Sequence, residues 1–337
     1  MREARWWRRV DESLVHCFLC SQQCRIPPNE RGKCGVRENR EGTLWSLVYG
    51  RVIARNVDPI EKKPLYHFHP GTRSYSIATV GCNFRCLFCQ NADISQAPVE
   101  YGNIWGPEIP PHEIVEQARR TRCTSISYTY TEPTIFMEYA LDVAEPAHRA
   151  GIKNVFVTNG YLSRESLKSL APFLDAANVD LKAFDDDFYG KQCGARLKPV
   201  LKTLEGLKEA GIWFEVTTLL IPGLNDGEES LRRLAGFLAA LDPSIPWHIS
   251  RFHPMYHMTD RPVTGVAALH RAREIGIEAG LRYVYVGNVP GDDGENTYCH
   301  RCGNLLIDRF GFTMRIRGLR EGKCEQCSTV LAGVGIS

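Results

Sequence analysis

Three cysteines lie within the short segment GCNFRCLFCQN, residues 81–91. Cys82, Cys86 and Cys89 have the spacing C-x3-C-x2-C. A closed structural zinc site is held by four protein ligands, whereas a site that binds a substrate keeps one position open. Three thiolates can hold three irons of a [4Fe–4S] cube and leave the fourth iron open. We therefore predict such a cluster here. The alternatives are zinc with a distant fourth ligand, or three cysteines of the core.

Two further sets of cysteines have metal-ligand spacing. One consists of two C-x2-C pairs separated by 21 residues, which is typical of a zinc ribbon or a rubredoxin-like site: Cys299, Cys302, Cys324 and Cys327. We favour zinc over iron there, with a structural or docking role. The other is a closed set near the start of the chain whose spacing does not identify the metal, with a slight preference for zinc: Cys17, Cys20, Cys24 and Cys34. Cys193 is either a thiol that faces the substrate and relays a radical, or a small buried hydrophobe.

The composition restricts the class of protein. Thirteen cysteines in 337 residues, arranged in clusters, indicate metal sites in a reducing compartment rather than disulfides. A net charge of +2 implies no polyanionic partner. No apolar run is long enough for a membrane span, and the basic start has no apolar segment typical of a signal peptide. We expect a cytoplasmic protein that binds neither nucleic acid nor membrane.

The elements that must position these residues alternate between β and α from about residue 73 to 288. Six candidate strands lie at 74–80, 124–130, 153–159, 177–183, 212–220 and 247–252, with a possible seventh at 281–287. This rhythm predicts an α/β fold, a partial (β/α)6 TIM-like barrel. Residues 1–72 are predicted to form an N-terminal four-cysteine module with a β-hairpin that turns at Gly50. Residues 289–337 are predicted to form a C-terminal zinc-ribbon-like module.

The three-cysteine loop directly follows the first predicted strand, which puts it at the C-terminal mouth of the barrel. CNFRCLFC resembles the signature loop of radical S-adenosylmethionine enzymes. The resemblance implies that a reduced [4Fe–4S] cluster cleaves S-adenosylmethionine to methionine and a 5′-deoxyadenosyl radical, which abstracts hydrogen from a substrate. It also implies that Phe88 contacts the adenine and that Glu132, in TEP, accepts the methionine ammonium group.

Other strand ends resemble those of glycyl-radical activating enzymes. By that match the segments CQN, VTNG, DLK and SRFHP place further residues near the cofactor: Asn91, Thr158, Asn159, Asp180, Lys182 and His253. One departure concerns a monovalent cation. The activating enzymes have a carboxylate directly before TNG, where this chain has Val157, so only Asp180 of the expected pair of carboxylates is present.

Almost the whole chain is similar to the radical enzyme of the AmmeMemoRadiSam system, through segments such as DPIEKKPLYHFHPG, YTYTEPTIF and VYVGNVPGDDGENTYCHRCGNLLI. This implies Memo-like and AMMECR-type companion proteins and a reductant such as flavodoxin or ferredoxin. The substrate is not identified: it is either a small molecule or, as for an activase, a glycine of a partner protein. The alternative from another class is a non-catalytic, metal-stapled binding or electron-transfer protein.

Overall fold

The computed structural model describes residues 1–336, and its centre is one eight-stranded sheet. Seven strands are parallel, and each is bonded to the next along the chain. In order they are Arg73–Ala78, Ser125–Tyr128, Lys153–Thr158, Ala176–Asp180, Trp213–Leu220, Trp247–Arg251 and Val284–Gly287. These strands carry near-continuous buried residues, as expected for parallel strands covered on both faces. The predicted α/β fold class is confirmed.

The sheet is larger than the predicted six strands. Val284–Gly287 pairs in parallel with Trp247–Arg251, so the possible seventh strand is present. An eighth strand, Ala54–Pro59, pairs antiparallel with Arg73–Ala78 and forms the opposite edge. The predicted hairpin that turns at Gly50 is therefore wrong, because its second arm pairs with the barrel. Its first arm, Thr43–Ser46, instead forms a hairpin with Arg37–Arg40.

Helices connect the parallel strands and cover the sheet. The α-helices are Ala92–Ser95, Ala97–Glu100, Pro111–Arg120, Met137–Arg149, Arg164–Leu170, Asp186–Phe188, Leu197–Glu209, Glu228–Leu241 and Val266–Glu278. Three 3₁₀ turns lie at Ile60–Lys62, Pro133–Phe136 and Asp293–Glu295, and a π-helical turn lies at Tyr189–Cys193. Within residues 1–336, no helix is long and apolar enough to cross a membrane.

Small antiparallel sheets flank the barrel. In the N-terminal part, Arg2–Glu3 joins the hairpin just described, and Trp7–Arg9, Val15–Cys17 and Arg25–Ile26 form a second sheet. A buried ion pair between Arg37 and Glu138, 2.5 Å apart, attaches this part to the helix Met137–Arg149. Burial of both charges is tolerated because they are paired.

The C-terminal part consists of Thr297–Tyr298, Leu305–Phe310 and Thr313–Ile316 in one sheet, and Leu319–Arg320 with Lys323–Cys324 in another. It packs against the N-terminal ends of the barrel strands: His300 lies 3.3 Å from the Tyr283 hydroxyl, and Tyr283 directly precedes the seventh parallel strand. His67 and Val334 meet at the same end through backbone hydrogen bonds. The two ends of the barrel therefore carry different attachments.

Candidate active site

The signature loop begins directly after the first parallel strand and is positioned by a glycine. Gly81 has a φ of +104°, a conformation that side chains disfavour, and a β-carbon there would lie 2.6 Å from Val36. Its amide donates to the Ile94 carbonyl at 3.0 Å, which ties the start of the loop to the helix that follows. The close approach to Val36 brings the N-terminal part against the loop.

The three loop thiols have hydrogen-bonding neighbours. The Phe84 amide lies 3.4 Å from Cys82 Sγ, Asn159 Nδ2 lies 3.8 Å from the same sulfur, and Ser95 Oγ lies 3.2 Å from Cys89 Sγ. Burial raises the pKa of the Cys82 and Cys89 thiols. Iron would displace these protons, because metals bind the thiolate. Donors aimed at sulfur suit thiolate ligands of a cluster.

The spacing of the thiols distinguishes this loop from a zinc site. Among residues 1–336, one set of three or more His, Cys, Asp or Glu ligand atoms lies within 4.8 Å of one another, and it is the C-terminal set of four cysteines. Four thiolates around one zinc ion at ≈ 2.3 Å are about 3.8 Å apart. The signature-loop thiols are not grouped in this way, so the loop lacks the close-set geometry of a single-ion site. A donor set of three thiols would hold a [4Fe–4S] cluster with one iron open.

Glu132 lies at the centre of a buried network after the second parallel strand. Its Oε1 accepts from the Thr134 amide at 3.0 Å, the Thr134 hydroxyl at 2.5 Å and the Thr158 hydroxyl at 2.7 Å. Its Oε2 accepts from the Asn159 amide at 2.8 Å. Burial raises the pKa of this carboxyl, while these donors counteract the rise. The network joins Glu132 to Thr158 and Asn159, which lie 26 and 27 residues later in the sequence.

Lys182 connects the fourth strand to the signature loop. Its ammonium lies 2.9 Å from Asp180 and 5.7 Å from the centre of the Phe88 ring. Burial alone would lower the pKa of Lys182, but the charge of Asp180 holds it well above its usual value. The Lys182 ammonium and its counter-ion therefore lie beside the loop. Asn91 belongs to the same edge, since its Nδ2 donates to the Tyr130 carbonyl at 2.8 Å.

The loop after the sixth strand meets the signature loop through residues that the sequence reasoning missed. The His257 amide donates to the Leu87 carbonyl at 2.9 Å, and the Tyr256 hydroxyl bonds Glu100. His253 is exposed and lies earlier in the same loop. The segment FHPMYHM contains two histidines, His253 and His257, and no spacing distinguishes the second from the first, so no signal in the sequence marked His257.

Cys193 is completely buried at the end of the π-helical turn Tyr189–Cys193. Its thiol is a hydrogen-bond neighbour of Cys86, and this contact, ahead of burial, raises the pKa of the Cys86 thiol. The Cys193 carbonyl accepts from the Arg85 amide at 2.8 Å. The turn thus packs against the signature loop and is hydrogen-bonded to it. A role for Cys193 toward a substrate stays a prediction.

The two remaining cysteine sets lie at opposite ends of the barrel. In the C-terminal set, Cys299 and Cys327 are 3.5 Å apart and Cys302 and Cys324 are 3.6 Å apart, which is close to the edge of a tetrahedral four-thiolate site. The N-terminal set lies at the active-site end. There Cys20 and Leu162 form an isolated antiparallel β-bridge, and the Ser21 amide donates to the Tyr161 carbonyl. Tyr161 and Leu162 lie just after the third strand.

Comparison with known proteins agrees with this geometry. Residues 76–235 match the Radical SAM superfamily. The chain is 48% identical to an uncharacterized protein of Methanocaldococcus jannaschii, over 97% of this chain and 98% of that one. It is 22% identical to the pyruvate formate-lyase-activating enzyme of Clostridium pasteurianum, over 50% of this chain and 70% of that one.

A solved structure supports the fold alone. A radical SAM methyltransferase from Sphaerobacter thermophilus superposes with a TM-score of 0.51 at 19% identity, over 71% of each chain. The signature loop, the strand-end residues beside it and the sequence match lead to one assignment: the chain belongs to the Radical SAM superfamily.

Proposed function

We propose that this protein reductively cleaves S-adenosylmethionine and uses the resulting 5′-deoxyadenosyl radical to abstract hydrogen from a substrate. The observation that carries this proposal is the convergence of one three-thiol loop and the polar ends of the next three parallel strands at one edge of the sheet. When bound, a reduced [4Fe–4S] cluster on Cys82, Cys86 and Cys89 supplies the one electron that breaks the carbon–sulfur bond.

The residues of this chain bind and orient the cofactor. Glu132 Oε1 already accepts three hydrogen bonds, whereas Oε2 accepts one and keeps a lone pair for the methionine ammonium group. In this proposal Thr158 and Asn159 hold that carboxylate in place. Lys182 supplies positive charge beside the loop, and Phe88 offers an apolar face for the adenine. Asn91, Asp180 and His253 complete the proposed cofactor site, and Cys193 supports the loop.

The substrate divides the proposal into two branches. The relative from Clostridium pasteurianum is named as an activating enzyme, which supports a glycine of a partner protein as the target. The resemblance to the AmmeMemoRadiSam enzyme supports Memo-like and AMMECR-type companions, and a flavodoxin or ferredoxin as reductant. Incubation with those companions separates the branches: a protein radical detected by electron paramagnetic resonance supports activation, and a low-mass product supports small-molecule chemistry.

The test of the cleavage chemistry replaces Cys82, Cys86 and Cys89 together by Ala. Anaerobic reconstitution, reduction with dithionite and chromatographic measurement of 5′-deoxyadenosine should give product for the natural sequence and none for this variant, because the ligands of the cluster are gone. The control is Cys123→Ala, which removes a buried cysteine outside the loop. Continued 5′-deoxyadenosine formation by the triple variant would show that cleavage does not depend on this loop and would overturn the proposal.

A further inference from the structure

Four cysteines of the N-terminal part surround one small cavity beside the signature loop. Cys17, Cys20, Cys24 and Cys34 all contribute to its lining. Cys17, Cys20 and Cys34 are buried and Cys24 is half-buried. The rest of the lining contains four polar side chains and three apolar ones: Gln22, Lys33, Arg37, Asn83, Leu19, Ile26 and Ile135. The cavity is therefore lined by four soft ligands and by hydrogen-bond donors.

Two of these polar residues, Arg37 and Asn83, carry a buried donor that lacks a partner. Within residues 1–336, Arg37 Nε and Asn83 Nδ2 are buried and make no hydrogen bond. The other donors of Arg37 are satisfied by Glu138 and by the Arg5 carbonyl, and Asn83 Oδ1 accepts from Asn159. A buried donor that is left without an acceptor destabilises the folded state. Two of them in the lining of one cavity indicate that an acceptor belongs there.

The separation of the four thiols argues against a single metal ion. No three of them are within 4.8 Å of one another, in contrast to the C-terminal four-cysteine set of the same chain. In this respect they resemble the three thiols of the signature loop. A lone zinc ion would need thiolates about 3.8 Å apart, and those thiolates would be the only sulfur acceptors at the site. A cluster that contains inorganic sulfide spreads its thiolates and adds sulfide acceptors.

We propose that Cys17, Cys20, Cys24 and Cys34 hold a second [4Fe–4S] cluster, with Arg37 Nε and Asn83 Nδ2 as hydrogen-bond donors to its sulfur atoms. Four thiolates ligate all four irons, so this cluster has no open position for a substrate. It is suited to carry one electron at a time, taken from a reduced donor of the ferredoxin or flavodoxin class. Asn83 directly follows the signature-loop ligand Cys82, so the two sites share adjacent residues of one loop.

The second cluster can be measured without the first. The full chain carrying Cys82→Ala, Cys86→Ala and Cys89→Ala is reconstituted anaerobically and analysed for iron, acid-labile sulfide and zinc. We expect about four irons and four sulfides per chain, with a paramagnetic signal after reduction. About two zinc ions with no sulfide would overturn the proposal, as would a single iron without sulfide. This variant cannot test cleavage of S-adenosylmethionine, so the result is independent of the proposed function.

Two additional variants locate the cluster within the chain. Cys20→Ser and Cys24→Ser, added to the triple variant, should reduce iron and sulfide to near zero while the metal of the C-terminal site is retained as evidence of folding. If the variant retained both its iron and its sulfide, the assignment would be overturned. In case those changes prevent folding, Asn83→Asp in the triple variant keeps the acceptor for Asn159 but removes the donor. It should lower the reduction potential of the remaining cluster at unchanged iron content, and an unchanged potential would contradict the hydrogen bond to sulfur.

Discussion

The Glu132 carboxylate has a local role and a distant one at the same time. It caps the 3₁₀ turn Pro133–Phe136 through the Thr134 amide, and it accepts from the hydroxyl of Thr158 and the amide of Asn159 on the next strand. The sequence predicted that these residues lie near one cofactor, because parallel strands end at the same edge. It did not predict that they bond one another, since a residue's position after a strand does not specify the direction of its side chain.

Cysteine spacing had a similar limit. It predicted all three sets as metal ligands, but four cysteines in sequence are compatible with zinc and with iron–sulfur clusters alike. What separates the two four-cysteine sets is the distance between sulfurs and the presence of unpaired donors, and both depend on residues far along the chain. Asn83 and Arg37 carry no sequence signal for a role at the N-terminal cysteines.

At the residue scale, we predict that cleavage of S-adenosylmethionine is insensitive to the monovalent cation present. The Val157 side chain supplies no oxygen where the related activating enzymes have a carboxylate, and Asp180 is paired with Lys182 at 2.9 Å. A weakly held cation prefers several oxygen ligands. Rates in potassium, sodium and a bulky organic cation, at matched ionic strength, should agree. A several-fold acceleration by potassium alone would mean that other oxygens complete a cation site.

At the scale of elements, the end of the third strand depends on a glycine for its turn. Gly160 has a φ of +70°, and a β-carbon there would lie 2.8 Å from Val179. The turn holds Thr158 and Asn159 against Glu132. Strand positions themselves were predictable because buried β-branched runs alternate with amphipathic helices. The position of the antiparallel edge strand Ala54–Pro59 was not predictable. It pairs with Arg73–Ala78, which lies beyond a 3₁₀ turn and a loop, and not with the segment on the other side of the nearest glycine.

We predict that Gly160→Ala destabilises the protein and reduces cleavage of S-adenosylmethionine. The left-handed conformation costs alanine about 1 kcal/mol, and the clash with Val179 adds about 1–3 kcal/mol. The matched control is Gly211→Ala, which has a φ of +69° but no atom within 4 Å of the added carbon. The two variants, unfolded in urea, should lose different amounts of free energy of unfolding, and the difference should equal the cost of the clash with Val179. Equal free energies of unfolding would contradict the close packing at Gly160.

At the scale of the whole molecule, the C-terminal cysteine site lies at the end of the barrel opposite to the signature loop. We predict that Cys324→Ser with Cys327→Ser removes the metal and local order there, because a closed site contributes folding free energy. Cleavage of S-adenosylmethionine should persist, because the length of the strands separates the two sites. Metal analysis and the 5′-deoxyadenosine assay check both statements. A folded, iron-replete variant without cleavage would instead assign this site to the path of electrons.

The same end of the barrel contains a histidine that should make the whole fold sensitive to acid. Burial lowers the pKa of His67 to about 4, and its two ring nitrogens already contact the Ala332 carbonyl and the Tyr285 hydroxyl. The unfolded chain takes up this proton near the usual pKa of about 6.5, whereas the folded chain does not. The contribution of neutral His67 to the free energy of unfolding is therefore fully present above about pH 6.5. It falls by roughly 1.4 kcal/mol per pH unit below that value until the folded pKa is reached.

This prediction is checked by unfolding midpoints at pH 7.5 and 5.5. His67→Gln keeps a donor and an acceptor but does not titrate, so it should lose less stability on acidification than the natural sequence. His112→Gln, at an exposed position, should behave as the natural sequence does. Equal losses for all three proteins would show that His67 is not the group responsible.

A fragment that starts at residue 73, where the predicted barrel begins, would lack Ala54–Pro59. The strand Arg73–Ala78 would then present a bare row of backbone donors and acceptors, and such an edge recruits other chains into sheets and aggregates. The natural edge strand exposes Arg55 and Asn56 to solvent instead. Truncation at residue 73 would thus lower the solubility of the fragment as well as remove the N-terminal cysteines. A fragment that retains residues 54–59 keeps the edge strand and should aggregate less.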